Sequence, residues 1–180
     1  MLSIFIETGE LMKQLFLLIL LLPLFSLAQE CTLSKSTDDF TNETKISTGF
    51  VSFNEGKSKF LLTINATSKE IDFFFSLANG AEGWCFDNSS TAIVQYAGTR
   101  LKATNRNTGS MNCQGLFHFT FRNVPTTPSA LTRFTTHPIE SFVFKGSGKE
   151  YEFHLREEDR QKMMTLVDCL VKESKTLLPG

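Results

Sequence analysis

The sequence predicts a mainly β fold, an antiparallel sandwich or partly open barrel closed by one C-terminal α-helix. Three observations carry this. Apolar and polar residues alternate with period two through most of residues 46–155, the signature of half-buried strands. Short polar turns separate these runs, so successive strands are expected to pair antiparallel. One stretch near the end switches to a helical period.

The strands follow in order. Phe60, Leu62 and Ile64 share one face of a strand. Ile71, Phe73, Phe75 and Leu77 repeat the pattern. Phe117, Phe119 and Phe121 alternate with His118, Thr120 and Arg122 in the cleanest half-buried strand, and all three rings are predicted to be buried. Tyr151, Phe153 and Leu155 alternate with Glu150, Glu152 and His154. Weaker strands are predicted near Ile46–Phe53, Ala92–Ala97, Arg100–Thr104, Ala130–Thr135 and Ile139–Lys145. Asn54-Glu55-Gly56, Asn79-Gly80, Asn107-Thr108-Gly109 and Gly146-Ser147-Gly148 supply turn residues that tolerate positive φ. The helix is predicted near 156–174. Glu157, Glu158 and Asp159 crowd its first turn, where the helix dipole favours acids. Met163, Leu166, Val167 and Leu170 form its apolar stripe.

Ahead of this domain lies an export signal. Met12 is followed by Lys13, then by the uncharged run Leu15 to Phe25, then by Ser26-Leu27-Ala28. A basic start, a short greasy core and a small-residue exit are what signal peptidase reads. The run is about half the ~20 residues that a spanning helix needs, and Pro23 interrupts it. Residues 12–28 are therefore read as a secretory signal peptide and 29–180 as a single β-rich domain. Cys31 does not directly follow the cut, which argues against a lipid anchor. Residues 1–11 carry Glu7 and Glu10, which do not belong in a basic start, and are read as a misassigned start or an extension. The expected location is the periplasm or the medium, with no stable membrane insertion after cleavage.

Charge excludes some partners. The chain has 18 Lys+Arg and 19 Asp+Glu, and loss of Lys13, Glu7 and Glu10 with the leader leaves the two balanced. A neutral domain offers no electrostatic basis for binding nucleic acid.

All four cysteines lie beyond the signal. An even number in an exported chain points to disulfides. Zinc sites show close pairs such as C-x2-C, and none is present. Four cysteines allow three connectivities. The favoured one joins Cys85 to Cys113, both beside turn-rich segments, and Cys31 to Cys169. The second bridge would tie a polar N-terminal stretch, 34–44, to the closing helix.

The search for chemistry yields no catalytic, metal or cofactor site. His118, His137 and His154 lie in separate segments. Asp38-Asp39 lies in a polar N-terminal stretch and Glu157-Glu158 at a helix start, and both have adequate structural explanations. Gly146-Ser147-Gly148-Lys149 lacks phosphate-loop spacing and precedes no helix, so it reads as a hairpin turn. Trp84, in Glu82-Gly83-Trp84-Cys85-Phe86-Asp87, is the candidate surface contact for carbohydrate or protein; the competing reading packs it in the core against a disulfide.

Several short elements together resemble a known group. These are the signal ending Ser-Leu-Ala-Gln, the early Cys31, Asp38-Asp39-Phe40-Thr41, Thr48, Cys85-Phe86-Asp87, Asn112-Cys113-Gln114-Gly115 and the closing Asp168-Cys169-Leu170. The chain is similar to small exported β-rich proteins of unknown function from Gram-negative bacteria, with Asn42 standing where Gly would follow Phe-Thr. The resemblance implies export and a β-rich fold with a C-terminal helix, and no activity. The favoured function is a non-enzymatic binding or interaction module that takes a protein or small-molecule ligand. The alternatives are a small-ligand carrier with a β-barrel cavity and an enzyme without a recognisable motif.

Overall fold

The structure is a computed structural model and describes residues 32–54, 59–77 and 85–179. The signal segment 12–28, the extension 1–11, Cys31, Trp84 and the turns at Gly56 and Asn79-Gly80 lie outside the described residues.

Two antiparallel sheets form the domain, and among the described residues they do not close into a barrel. The first sheet runs in the order β1 (Ser34–Thr37), β2 (Thr44–Ser47), β4 (Phe60–Ala66), β5 (Glu70–Ser76), β8 (Leu116–Arg122), with β3 (Val51–Phe53) also paired to β4. The second runs β10 (Lys149–His154), β9 (Ile139–Gly146), β6 (Thr91–Tyr96), β7 (Lys102–Arg106). Register follows the alternation read from the sequence. Phe73 faces Phe119 and Phe75 faces Phe117 across β5 and β8, which puts these four rings on one face, while Phe74 faces His118 on the other.

That face meets the inner face of the second sheet. Phe75 lies 5.2 Å from Phe142 and 5.3 Å from Phe144, ring centre to ring centre, and 5.9 Å from Phe60. Most of these contacts are edge-on or tilted, the arrangement the ring quadrupole favours. Phe60, Phe73, Phe75, Phe117, Phe142 and Phe144 are fully buried. Rings pack against one another between the sheets. Phe121 is only half-buried, at the end of β8, where it packs edge-on against Phe73 and Phe134.

The C-terminal helix, α2 (Glu157–Ser174), buries Met163, Val167, Leu170 and Val171 against the core. Its acidic first turn does more than meet the dipole. Asp159 is almost fully buried, and its Oδ2 accepts Arg156 Nε–H at 2.8 Å and the Asn54 backbone N–H at 3.1 Å. The helix start is thereby clipped to the end of β3.

Three expectations are corrected. The segment predicted as a strand at Ala130–Thr135 is helical, α1 (Ser129–Thr136). Its Thr and Phe residues favour strands in isolation, but Leu131 and Phe134, three apart, both reach the core from a helix and are buried. Ile46–Phe53 is two strands rather than one, because the chain bends at Gly49 with φ 64°. The polar stretch at 34–44, in which no strand is predicted, forms a hairpin of β1 with β2.

Candidate functional site

The three histidines stand apart. His118 projects from the outer face of the first sheet, where its Nδ1 lies 3.1 Å from Asp72 Oδ1 on neighbouring β5. The loop between β7 and β8 folds over the ring so closely that a Cβ at Gly109 would strike it, so any other residue there would have to displace the imidazole. Thr108 N–H donates to the His118 carbonyl at 2.8 Å, and His118 N–H donates to Asn107 Oδ1 at 3.0 Å. This histidine anchors a loop.

His154 lies on the outer face of the second sheet, its Nε2 3.5 Å from Glu152 Oε1. The same oxygen accepts the Ser141 hydroxyl at 2.8 Å and Gln95 Nε2 at 3.0 Å. A serine, a histidine and a carboxylate thus meet, but in the wrong order for catalysis. An activated serine needs the imidazole on its hydroxyl with the acid behind. Here the carboxylate sits between the two, and the Ser141 hydroxyl donates its hydrogen bond to Glu152 rather than to an imidazole. His137, at the end of α1, has its Nδ1 2.9 Å from the Thr136 hydroxyl, with its ring beside Tyr96. Among the described residues no three metal-ligating side chains converge. The Tyr96 hydroxyl is buried without a hydrogen-bond partner, and burial pushes its pKa up to about 12.

The Cys85–Cys113 disulfide is present. It joins the segment before β6 to the segment before β8, next to the Phe86–Asn112 bridge. The arrangement there is structural. Asp87 Oδ1 accepts the backbone N–H and hydroxyl groups of both Ser89 and Ser90; these bonds, led by the Ser89 hydroxyl, hold its carboxyl below the usual value. The Asn112 side chain brackets Leu116. Cys169 is also disulfide-bonded. Its favoured partner Cys31 lies outside the described residues, as does Trp84, the candidate contact.

What the structure exposes is a different aromatic. Phe40 is 97% exposed, the most exposed of the large apolar side chains among the described residues, ahead of Met111 at 72% and Phe50 at 64%. It stands at the tip of the β1–β2 hairpin, and the tip is built rather than loose. Asp38 Oδ1 accepts the Thr41 N–H at 2.8 Å, the Phe40 N–H at 2.9 Å and the Thr41 hydroxyl at 3.0 Å. The Asp38 carbonyl accepts Asn42 N–H at 2.8 Å, and Asp38 N–H donates to the Glu43 carbonyl at 3.0 Å. These bonds, with the Thr41 N–H first, lower the Asp38 pKa below its ordinary value of 3.8. Asn42 takes φ 52°, the left-handed region open to Gly and, among other residues, best to Asn.

At the base of this hairpin lies a groove of about 300 Å³, lined by Lys35, Asn42, Glu43, Thr44, Ser68, Thr176 and Leu177. In the sequence, Phe40 itself carries no mark that separates it from the core phenylalanines. The available signal was Asp38 with Asn42 four residues on, a turn pattern that leaves the intervening Phe without a neighbour.

The fold and this surface define an antiparallel β-sandwich that offers a braced aromatic tip. No family model, curated protein or solved structure matches the chain. No described helix is long and apolar enough to cross a membrane.

Proposed function

We propose that this chain is an exported, non-enzymatic interaction module that grips a partner protein through Phe40. One observation carries the reading: a phenylalanine almost wholly in water at the end of a turn that three hydrogen bonds to Asp38 hold in one conformation. A rigid aromatic presented in this way loses little entropy on binding and buries a large area, the usual character of an interface hot spot. The signal-like segment 12–28 and the Cys85–Cys113 disulfide support export to an oxidising compartment. The neighbours of Phe40 are acidic, Asp38, Asp39 and Glu43, which disfavours insertion into an anionic bilayer and favours a protein pocket with a basic rim.

A photo-crosslinking phenylalanine analogue at position 40, introduced in the organism that makes the protein, tests this. A discrete protein adduct is expected from position 40 and none from Leu101, in the β6–β7 turn. An adduct to lipid, or none above the Leu101 control, would overturn the proposal.

A further inference from the structure

We infer that the protein associates head to tail with further copies of itself, strand β10 of one copy pairing antiparallel with β7 of the next. Three observations on the second sheet carry this, and none involves Phe40.

The first is a pair of open edges. The sheet runs β10-β9-β6-β7, so β10 and β7 are its outer strands. In an antiparallel ladder alternate residues turn their N–H and C=O groups toward the neighbour, and the others turn them away. Tyr96 N–H donates to the Leu101 carbonyl and Asn107 N–H to that of Ser90, so the odd-numbered residues of β7 are the ones bonded to β6. Lys102, Thr104 and Arg106 therefore direct their backbone groups outward. Leu155 N–H donates to the Glu140 carbonyl, so in β10 the outward residues are Glu150, Glu152 and His154. Asn54 Nδ2 takes the His154 carbonyl. Among the described residues, no hydrogen bond reaches the outward backbone groups of Glu150, Glu152, Lys102, Thr104 or Arg106.

The second is direction. Every pairing in this sheet is antiparallel, so β10 and β7 run in opposite senses. A further copy in the same orientation brings its β10 antiparallel to β7 and continues the alternation. The faces agree as well. Lys102, Thr104 and Arg106 are exposed while Ala103 and Asn105 are half-buried; Glu150, Glu152 and His154 are exposed while Phe153 is buried. Residues opposite each other share a face, so the joined sheet keeps its polar side outward.

The third is charge. On that outer face β7 presents Lys102 and Arg106, neither ion-paired among the described residues, and β10 presents Glu150 and Glu152. Lys149 alternates to the opposite face. Full overlap of 102–106 with 150–154 puts Arg106 opposite Glu150 and Lys102 diagonal to Glu152, both within reach of long side chains. Glu150 also pairs with Lys145 at 2.6 Å, but both side chains are about half-exposed and such a surface pair is weak, so the carboxylate stays open to a second cation. Charges on an edge strand ordinarily keep it from pairing. Here β7 repels β7 and β10 repels β10, and β7 with β10 is the combination left attractive. A two-fold dimer through either edge is disfavoured; the contact is heterologous and builds rings or open chains. The balanced charge of the mature domain adds no net repulsion against it.

Sedimentation of the purified protein over a range of concentrations reads the assembly. At about 0.01 M ionic strength, where charges act over about 30 Å, the average mass should rise with concentration past that of a dimer; at about 1 M, where they act over about 3 Å, it should fall. Two swapped variants test the edges. Lys102→Glu with Arg106→Glu makes both edges acidic. Glu150→Lys with Glu152→Gln makes both basic, and the glutamine keeps an acceptor for the Ser141 hydroxyl. Each alone should be monomeric, and an equal mixture should assemble again, because each variant's edges meet the other's. Melting curves check folding, and the milder pair Arg106→Glu and Glu150→Arg, mixed in the same way, replaces a variant that fails to fold. A parent protein that stays monomeric at low salt, or that stops at a dimer, overturns the inference. So does assembly by either swapped variant alone, or a mixture of folded variants that stays monomeric.

Discussion

Phe75 and Phe40 are the same side chain in opposite circumstances. Phe75 is fully buried and lies within 6 Å of four other rings, those of Phe60, Phe119, Phe142 and Phe144. Phe40 is almost wholly in water and is held in place only through its backbone. The interior ring is positioned by what it touches, so its place is a consequence of burial. The tip ring is positioned by a neighbouring carboxylate, so its place is independent of burial. Exposure of one apolar residue is ordinary. Exposure together with a dedicated brace is the basis of the contact proposed at Phe40.

The comparison can be broken first at its interior end. Phe75→Ala should cost about 3–5 kcal/mol of unfolding free energy, the range for emptying a large aromatic site in a packed core. Urea denaturation measures it. A loss under about 1 kcal/mol would mean that the inner and outer faces are assigned the wrong way round.

The next largest effect concerns the link between the two sheets. Cys85 and Cys113 are 28 residues apart, and a loop of that length is worth about 3–4 kcal/mol in the chain-entropy treatment of the unfolded state. The double variant Cys85→Ala, Cys113→Ala should lose stability of that order while Phe40 capture by its partner stays intact. Loss of capture in a folded double variant would place the disulfide in the contact rather than in the scaffold.

A smaller effect belongs to the brace itself. The carboxyl of Asp38 is held below its ordinary 3.8 by the bonds it accepts, that of Thr41 N–H first. A depressed value in the folded state means that its contribution is present above pH 3.8 and disappears as the pH falls through the lower folded value. Amide protection at Phe40 and Thr41, after correction for intrinsic rates, should therefore persist down to pH 3.8 and be lost only as the pH falls through the lower folded value. Asp38→Ala should give the low-pH behaviour at neutral pH. Unchanged protection in Asp38→Ala would show that strand pairing alone fixes the tip.

How much of this the sequence revealed depends on how far each feature reaches along the chain. The Phe117–Phe121 strand and the helix at 157–174 were legible because their periods run over many residues. Phe121 was placed too deep, since alternation says which face a ring takes but not where the strand leaves the core. Ala130–Thr135 was read as a strand because a segment this short shows too little period to outweigh its Thr and Phe content; packing of Leu131 and Phe134 decided it. β1 was missed because Ser34–Thr37 is polar and exposed at all four positions, so its pairing with β2 leaves no hydrophobic trace. The Asp72–His118 pair, the carboxylate between Ser141 and His154, and the groove beneath the hairpin join distant segments and needed coordinates. Phe40 was in plain view, but a sequence does not say which phenylalanine of 18 has nothing to pack against.

The smallest expected effect is the most telling. The account holds that Phe40 belongs to the surface and not to the fold, so Phe40→Ala should leave the unfolding free energy of the purified protein, measured in urea, within about 0.5 kcal/mol of the parent, as for a surface site that makes no structural contact. A loss above about 2 kcal/mol would show that the ring is packed against the domain and would remove the basis for reading the hairpin as a presented contact.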